Sequence, residues 1–122
     1  MDYFEIKESK KLYGSVKVSG AKNAVLPLMA ASILNKKKIK ILNVPTLSDS
    51  ITMSKLIEEM GGDVQFESDD SIIVDSSKLN NPYAPYDLVK TMRASFYVLG
   101  PLLARFKTVS YTHLTLPTKR IV

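Results

Sequence analysis

At 122 residues, 45% of them apolar, the chain is long enough for one domain with a core and too short for two full ones. It has no cysteine, which excludes a disulfide framework and a thiolate nucleophile, and its longest apolar run, residues 24–34, is too short to span a bilayer. The formal charge is +5, but its densest cluster, Lys36, Lys37, Lys38 and Lys40, lies between an apolar helix and an apolar strand without interleaved aromatics, the pattern of a solvated turn. Neither nucleic acid nor membrane is expected as a partner, and a cytoplasmic location is expected; the positive surplus also suits small anionic substrates.

Residues 3–7 and 15–19 alternate as strands do, with a turn at Tyr13 and Gly14. The period then changes. Val25, Leu26, Leu28, Met29, Ile33 and Leu34 fall on one broad helical stripe, so a helix is expected over 24–34. With Asn23 as N-cap, Pro27 would fall in the first turn, where its missing N–H costs nothing. Residues 38–44 read as a strand ended by Pro45. A second helix, 51–60, carries Ile51, Met53, Leu56, Ile57 and Met60; Ser48 or Ser50 can cap it, and Gly61-Gly62 stops it. Residues 63–67 and 71–75 form a hairpin turning at Asp69-Asp70, and 80–85 a loop. A third helical stretch, 86–106, must kink or divide at Gly100-Pro101. Helices alternating with strands define an α/β (α+β) fold with helices on a mixed sheet, in two layers.

Two places could carry chemistry. At Gly20-Ala21-Lys22-Asn23 a tight turn feeds a helix start, where unpaired N–H groups and the positive dipole end favour anions and Lys22 adds a mobile charge. A lysine merely solvated at a helix start is the commoner case. Arg93 interrupts an otherwise apolar helix between small residues; a snorkelling arginine whose stem covers core is the bland alternative. Lys90 and Arg105 read as a solvated helix face, and Tyr97 as a partly buried tyrosine that could stack on a sugar or base.

Residues 14–34 (GSVKVSGAKNAVLPLMAASIL), 42–49 (LNVPTLSD), Met60-Gly61-Gly62 and 90–106 (KTMRASFYVLGPLLARF) resemble, collinearly from residue 1 to about 106, the amino terminus of the UDP-N-acetylglucosamine 1-carboxyvinyltransferases. The resemblance implies repeated β-α-β units of an inside-out α/β barrel. Residues 1–21 would be strands of an otherwise missing second domain, and 22–108 part of the first, substrate-binding domain. It implies that Lys22 and Asn23 hold phosphoenolpyruvate, with Lys22 also catalytic, and that Arg93 contacts UDP-N-acetylglucosamine. The implied reaction adds the sugar 3-hydroxyl to C2 of phosphoenolpyruvate and then expels phosphate, with no metal or organic cofactor. The family's acid–base loop, Pro-Gly-Gly followed by cysteine or aspartate, has no counterpart in these 122 residues, so the chain alone is expected to be inactive. The sister enzyme of the shikimate pathway is the near alternative and resembles the chain less, since there the lysine is typically followed by serine. A non-catalytic module binding small anions or nucleotide sugars is the alternative of another class.

Residues 109–118 (VSYTHLTLPT) have no counterpart in that family. Reading GTC TCT TAT ACA CAT CTG ACG CTG CCG ACG in frame gives these ten residues, and that string resembles a transposase adapter used in sequencing libraries. Residues 109–122 are therefore expected to be a translated scar outside function, His113 included. Without Lys119 and Arg120 the net charge falls from +5 to +3.

Overall fold

The computed structural model describes the backbone of residues 1–111 and 114–117 and the side chains of residues 1–107. His113 and residues 118–122, with Lys119 and Arg120, lie outside the described residues.

The first helix, α1 (Lys22–Ala31), runs into a 3₁₀ turn at Ser32–Leu34 and is followed by β1 (Lys38–Ile41). Its cap is Ala21, in extended conformation, whose carbonyl accepts the amides of Ala24 (3.1 Å) and Val25 (3.0 Å). The helix thus starts two residues before the expected position, Asn23 is helical rather than capping, and Pro27 lies inside. Having no N–H, Pro27 cannot donate to the Asn23 carbonyl four residues back. Burial of Val25, Leu26, Met29 and Ala30 holds the helix despite that loss.

Helix α2 (Ser48–Glu59) has its N-cap at Leu47 instead of the expected Ser48 or Ser50, which both lie inside the helix. A leucine side chain cannot accept a hydrogen bond, so Ser50 works from inside the first turn. Its Oγ accepts from the Leu47 N–H (3.2 Å) and its hydroxyl donates to the Leu47 carbonyl (2.7 Å). The far end stops as expected. Gly61 takes φ 100°, its amide donates to Glu58 (2.9 Å), and that of Gly62 donates to Ile57 (2.9 Å), the paired bonds of a Schellman motif.

Strands β2 (Asp63–Phe66) and β3 (Ile72–Asp75) form the expected hairpin, with Asp70 at φ 56° in its turn. β3 lies between β1 and β2 and is antiparallel to both, so β1–α2–β2 is one β-α-β crossover with a strand inserted in the middle. This sheet is antiparallel, not mixed. Parallel pairing occurs instead between β4 (Tyr83–Ala84), in the stretch expected to be loop, and β5 (Thr108–Tyr111), which also pairs antiparallel with β6 (Leu114–Pro117). One row across the first sheet, Ile39, Val74 and Val64, meets the helices, whose fully buried Met29, Ile33, Met53, Leu56 and Ile57 make the core.

The expected third helix is broken twice. α3 (Tyr86–Val89) ends before an extended Met92, a 3₁₀ turn covers Arg93–Val98, and α4 (Leu99–Phe106) completes the stretch. Gly100-Pro101 therefore opens a helix instead of kinking one, with Pro101 in a first turn that needs no amide. The earlier break comes from packing: Met92, Ser95 and Val98 are all buried, a spacing of three that a 3₁₀ turn eclipses onto one face.

Arg105 is not on a solvated face. Its guanidinium donates to the Ile33 carbonyl at 2.9 Å, and Ser76 Oγ donates to the Ser32 carbonyl at 3.0 Å, so two distant side chains satisfy the carbonyl end of the first helical segment. Lys90 is solvated, paired with Asp87 at 3.4 Å. Residues 1–20 form neither expected strand. Their apolar side chains stand in solvent, Phe4 97% and Val16 90% exposed, and among the described residues no strand pairs with their backbone.

Candidate active site

Three chain segments converge on one cleft of about 770 Å³: the start of α1, the start of α2, and residues 91–97 between α3 and α4. The α1 start is set by close backbone approach. Gly20 passes so near the 42–45 loop that a Cβ there would lie 1.7 Å from the Asn43 carbonyl oxygen and 3.0 Å from Pro45 Cδ. Its value is thus the missing side chain, not a special φ. Asn43, itself at φ 56°, donates from Nδ2 to the Val18 carbonyl at 3.4 Å and ties down the incoming chain. Lys22 and Asn23 are then the first two helical residues, both exposed, above the buried Leu26.

The opposite wall owes its geometry to the 3₁₀ turn. Met92 and Ser95 point inward, with Ser95 Oγ donating to the Met92 carbonyl at 2.7 Å. Arg93 and Phe96 are left on the outside, facing the cleft together with Tyr97. Tyr97 is 47% exposed, more open than the partly buried residue expected, and its ring is accessible to a planar ligand.

The structure brings Lys22, Asn23 and Arg93, up to 71 positions apart in the chain, to one cavity. It adds one residue that sequence reasoning did not single out. Asp49, second residue of α2, lies in the cleft wall with its Oδ2 3.1 Å from Lys22 Nζ. The available signal was its position just after Leu47 and Ser48, but an acidic residue there reads as a complement to the helix dipole. Arg93 has no ion pair or hydrogen bond among the described residues. The cleft therefore presents two cationic side chains, one carboxylate, and the amide-rich starts of two helices of 10 and 12 residues. Such a surface can bind an anion carrying more than one charged group, with an aromatic edge for a flat or sugar-like portion.

The chain belongs to the enolpyruvyl transferase family: the family model described as EPSP synthase (3-phosphoshikimate 1-carboxyvinyltransferase) matches residues 6–118, a span that includes the stretch 109–118 read above as a translated adapter. Its curated relatives include UDP-N-acetylglucosamine 1-carboxyvinyltransferases. The one from Campylobacter fetus subsp. fetus is 52% identical over 106 residues, covering 87% of this chain and 25% of the relative. That from Acinetobacter guillouiae is 53% identical over 106 residues with the same coverage. Among solved structures, the enolpyruvyl transferase NikO from Streptomyces tendae superposes with a TM-score of 0.71 at 25% identity, over 80% of this chain and 23% of that one. The chain thus spans about a quarter of the length of the curated relatives it matches. No helix among the described residues is long and apolar enough to cross a membrane.

Proposed function

We propose that this segment contributes the first part of a substrate cleft to an enzyme that transfers the enolpyruvyl group of phosphoenolpyruvate to the 3-hydroxyl of UDP-N-acetylglucosamine. The observation that carries the reading is the convergence of Lys22, Asn23 and Arg93 on one cavity. In this reading Lys22 and Asn23 face the carboxylate and phosphate of phosphoenolpyruvate, and Arg93 faces the sugar nucleotide. Addition of the sugar O–H across the C2=C3 bond, oxygen to C2 and a proton to C3, gives a tetrahedral intermediate; loss of a C3 proton then re-forms the double bond as the C2–O bond to phosphate breaks and phosphate leaves. A fixed ammonium at a helix start stabilises the negative charge that builds on the phosphate as it leaves. The names of the relatives favour the amino-sugar acceptor over 3-phosphoshikimate.

The β1–α2–β2 crossover is read as one of the repeated units of an inside-out α/β barrel, truncated here. Residues 22–108 are assigned to its first domain. Residues 1–21 are assigned to the second, which would cover Phe4, Ile6, Val16 and Val18, all of them exposed. Residues 109–122 are assigned to a translated adapter. The enzyme would act in the cytoplasm at the first committed step of peptidoglycan precursor synthesis, and so bear on cell shape and division.

The test is phosphate release by the intact enzyme carrying this segment, given phosphoenolpyruvate with either acceptor. Release with UDP-N-acetylglucosamine and not with 3-phosphoshikimate is expected, and the purified 122-residue chain should release none. Turnover with 3-phosphoshikimate alone, or by the isolated chain, would overturn the proposal.

A further inference from the structure

We infer that Asp49 is a positioning residue for Lys22: its carboxylate holds the Lys22 ammonium in the cleft in the orientation that the reacting anion meets. The kinetic part of this inference rests on the proposed function; the geometric part does not.

A lysine carries four rotatable stem bonds, and one at an exposed helix start would sample many positions in water. Lys22 does not stand alone. Its Nζ is 3.1 Å from Asp49 Oδ2, and the two side chains are 48% and 28% exposed. A pair this open to solvent contributes little to stability, because water screens the attraction and ordering both side chains costs entropy. Its consequence is placement. One N–H of the ammonium points at Asp49, which leaves two donors for the cleft.

Asp49 is itself well held. It lies in the first turn of a 12-residue helix, where the dipole favours a carboxylate. The preceding turn is closed by Ser50 on Leu47, and the helix is anchored by the fully buried Met53, Leu56 and Ile57. The rigid partner is therefore Asp49 and the mobile one Lys22, the arrangement in which a supporting residue fixes a functional one. A carboxylate in the cleft also repels anionic substrate, so nothing about it serves affinity. Its removal should leave anion binding equal or tighter while the ammonium wanders.

That opposition separates the inference from a purely structural role. In the intact enzyme, Asp49→Asn and Asp49→Ala should lower kcat by roughly 10- to 100-fold, the scale on which misplacing a reacting group by about 1 Å acts. The KM for phosphoenolpyruvate should not rise, and Asp49→Glu should recover part of the rate. A kcat within twofold of the parent, or a KM that rises in step with a falling melting temperature, would overturn the inference. So would failure of both Asp49→Asn and Asp49→Ala to fold, since Asp49 would then be structural.

The second measurement needs no turnover. In the isotope-labelled 122-residue chain, the two Hε protons of Lys22 should be inequivalent by NMR and merge in Asp49→Asn. Equivalent protons in the parent would overturn the positioning role. An inactive parent enzyme with inequivalent protons would instead sink the proposed function and leave the placement of Lys22 by Asp49 standing.

Discussion

Replacing Gly20 by alanine tests how the cleft is assembled. The new Cβ would begin 1.7 Å from the Asn43 carbonyl oxygen and 2.9 Å from the Asn43 carbonyl carbon. Ordinary contact then requires the two backbones to separate by roughly 1.5 Å or more. Neither obstacle is the end of a flexible side chain, so rotamer change cannot absorb the clash. Overpacking of this kind costs about 1–3 kcal/mol when the surroundings are rigid. Here one side is not: the chain leading into Gly20 is largely exposed, with Val18 79% accessible, and it can swing outward. The stability loss should therefore sit at the low end, about 1 kcal/mol, or a fall of roughly 4 °C in melting temperature for a domain of this size. Lys22 is only two residues on, so the same movement displaces the start of α1 and its ammonium. In the intact enzyme kcat should drop by about 10²-fold for a displacement near 1 Å. Calorimetry on the chain and phosphate release from the intact enzyme read the two effects separately. A variant with unchanged melting temperature and turnover within twofold of the parent would refute the argument that this close approach sets the cleft.

Two further outcomes follow from the site and the chain end. In the intact enzyme Lys22→Ala should lower the chemical rate by at least 10²-fold with little effect on sugar-nucleotide binding, while Arg93→Ala should chiefly raise the KM for UDP-N-acetylglucosamine, by about 10-fold or more for the loss of a charged hydrogen bond; equal effects of both substitutions on both parameters would refute the division of roles. If residues 109–122 are the translated adapter proposed above, they were never selected to pack, and deleting residues 110–122 should leave the melting temperature unchanged or raised; a clear fall, or the same residues encoded in an unamplified genomic read, would show the segment to be native protein.

What could be read from the sequence were the features with local causes. The stripe of Ile51, Met53, Leu56, Ile57 and Met60 marks α2 because side-chain spacing alone defines its face, and Gly61-Gly62 ends it because glycine tolerates the positive φ at Gly61. The hairpin at Asp69-Asp70 has the same local origin. Lys22 and Arg93 were legible as candidates, and the resemblance of their surrounding motifs to a known family gave each a role. Tertiary structure decided the rest. Residues 3–7 and 15–19 alternate as strands should, yet a strand needs a neighbour's backbone to bond with, and among the described residues none lies beside them. The 86–106 stretch has a helical apolar pattern, but burying Met92, Ser95 and Val98 together required a tighter turn, which left Arg93 facing α1. Arg105 looks solvated until the carbonyl end at Ile33, 72 residues earlier, is folded against it. The Lys22–Asp49 pair is of the same kind: 27 residues separate its members, and only the packing of α1 on α2 brings an ammonium and a carboxylate to 3.1 Å, because attraction between charges depends on distance through space and not on separation along the chain.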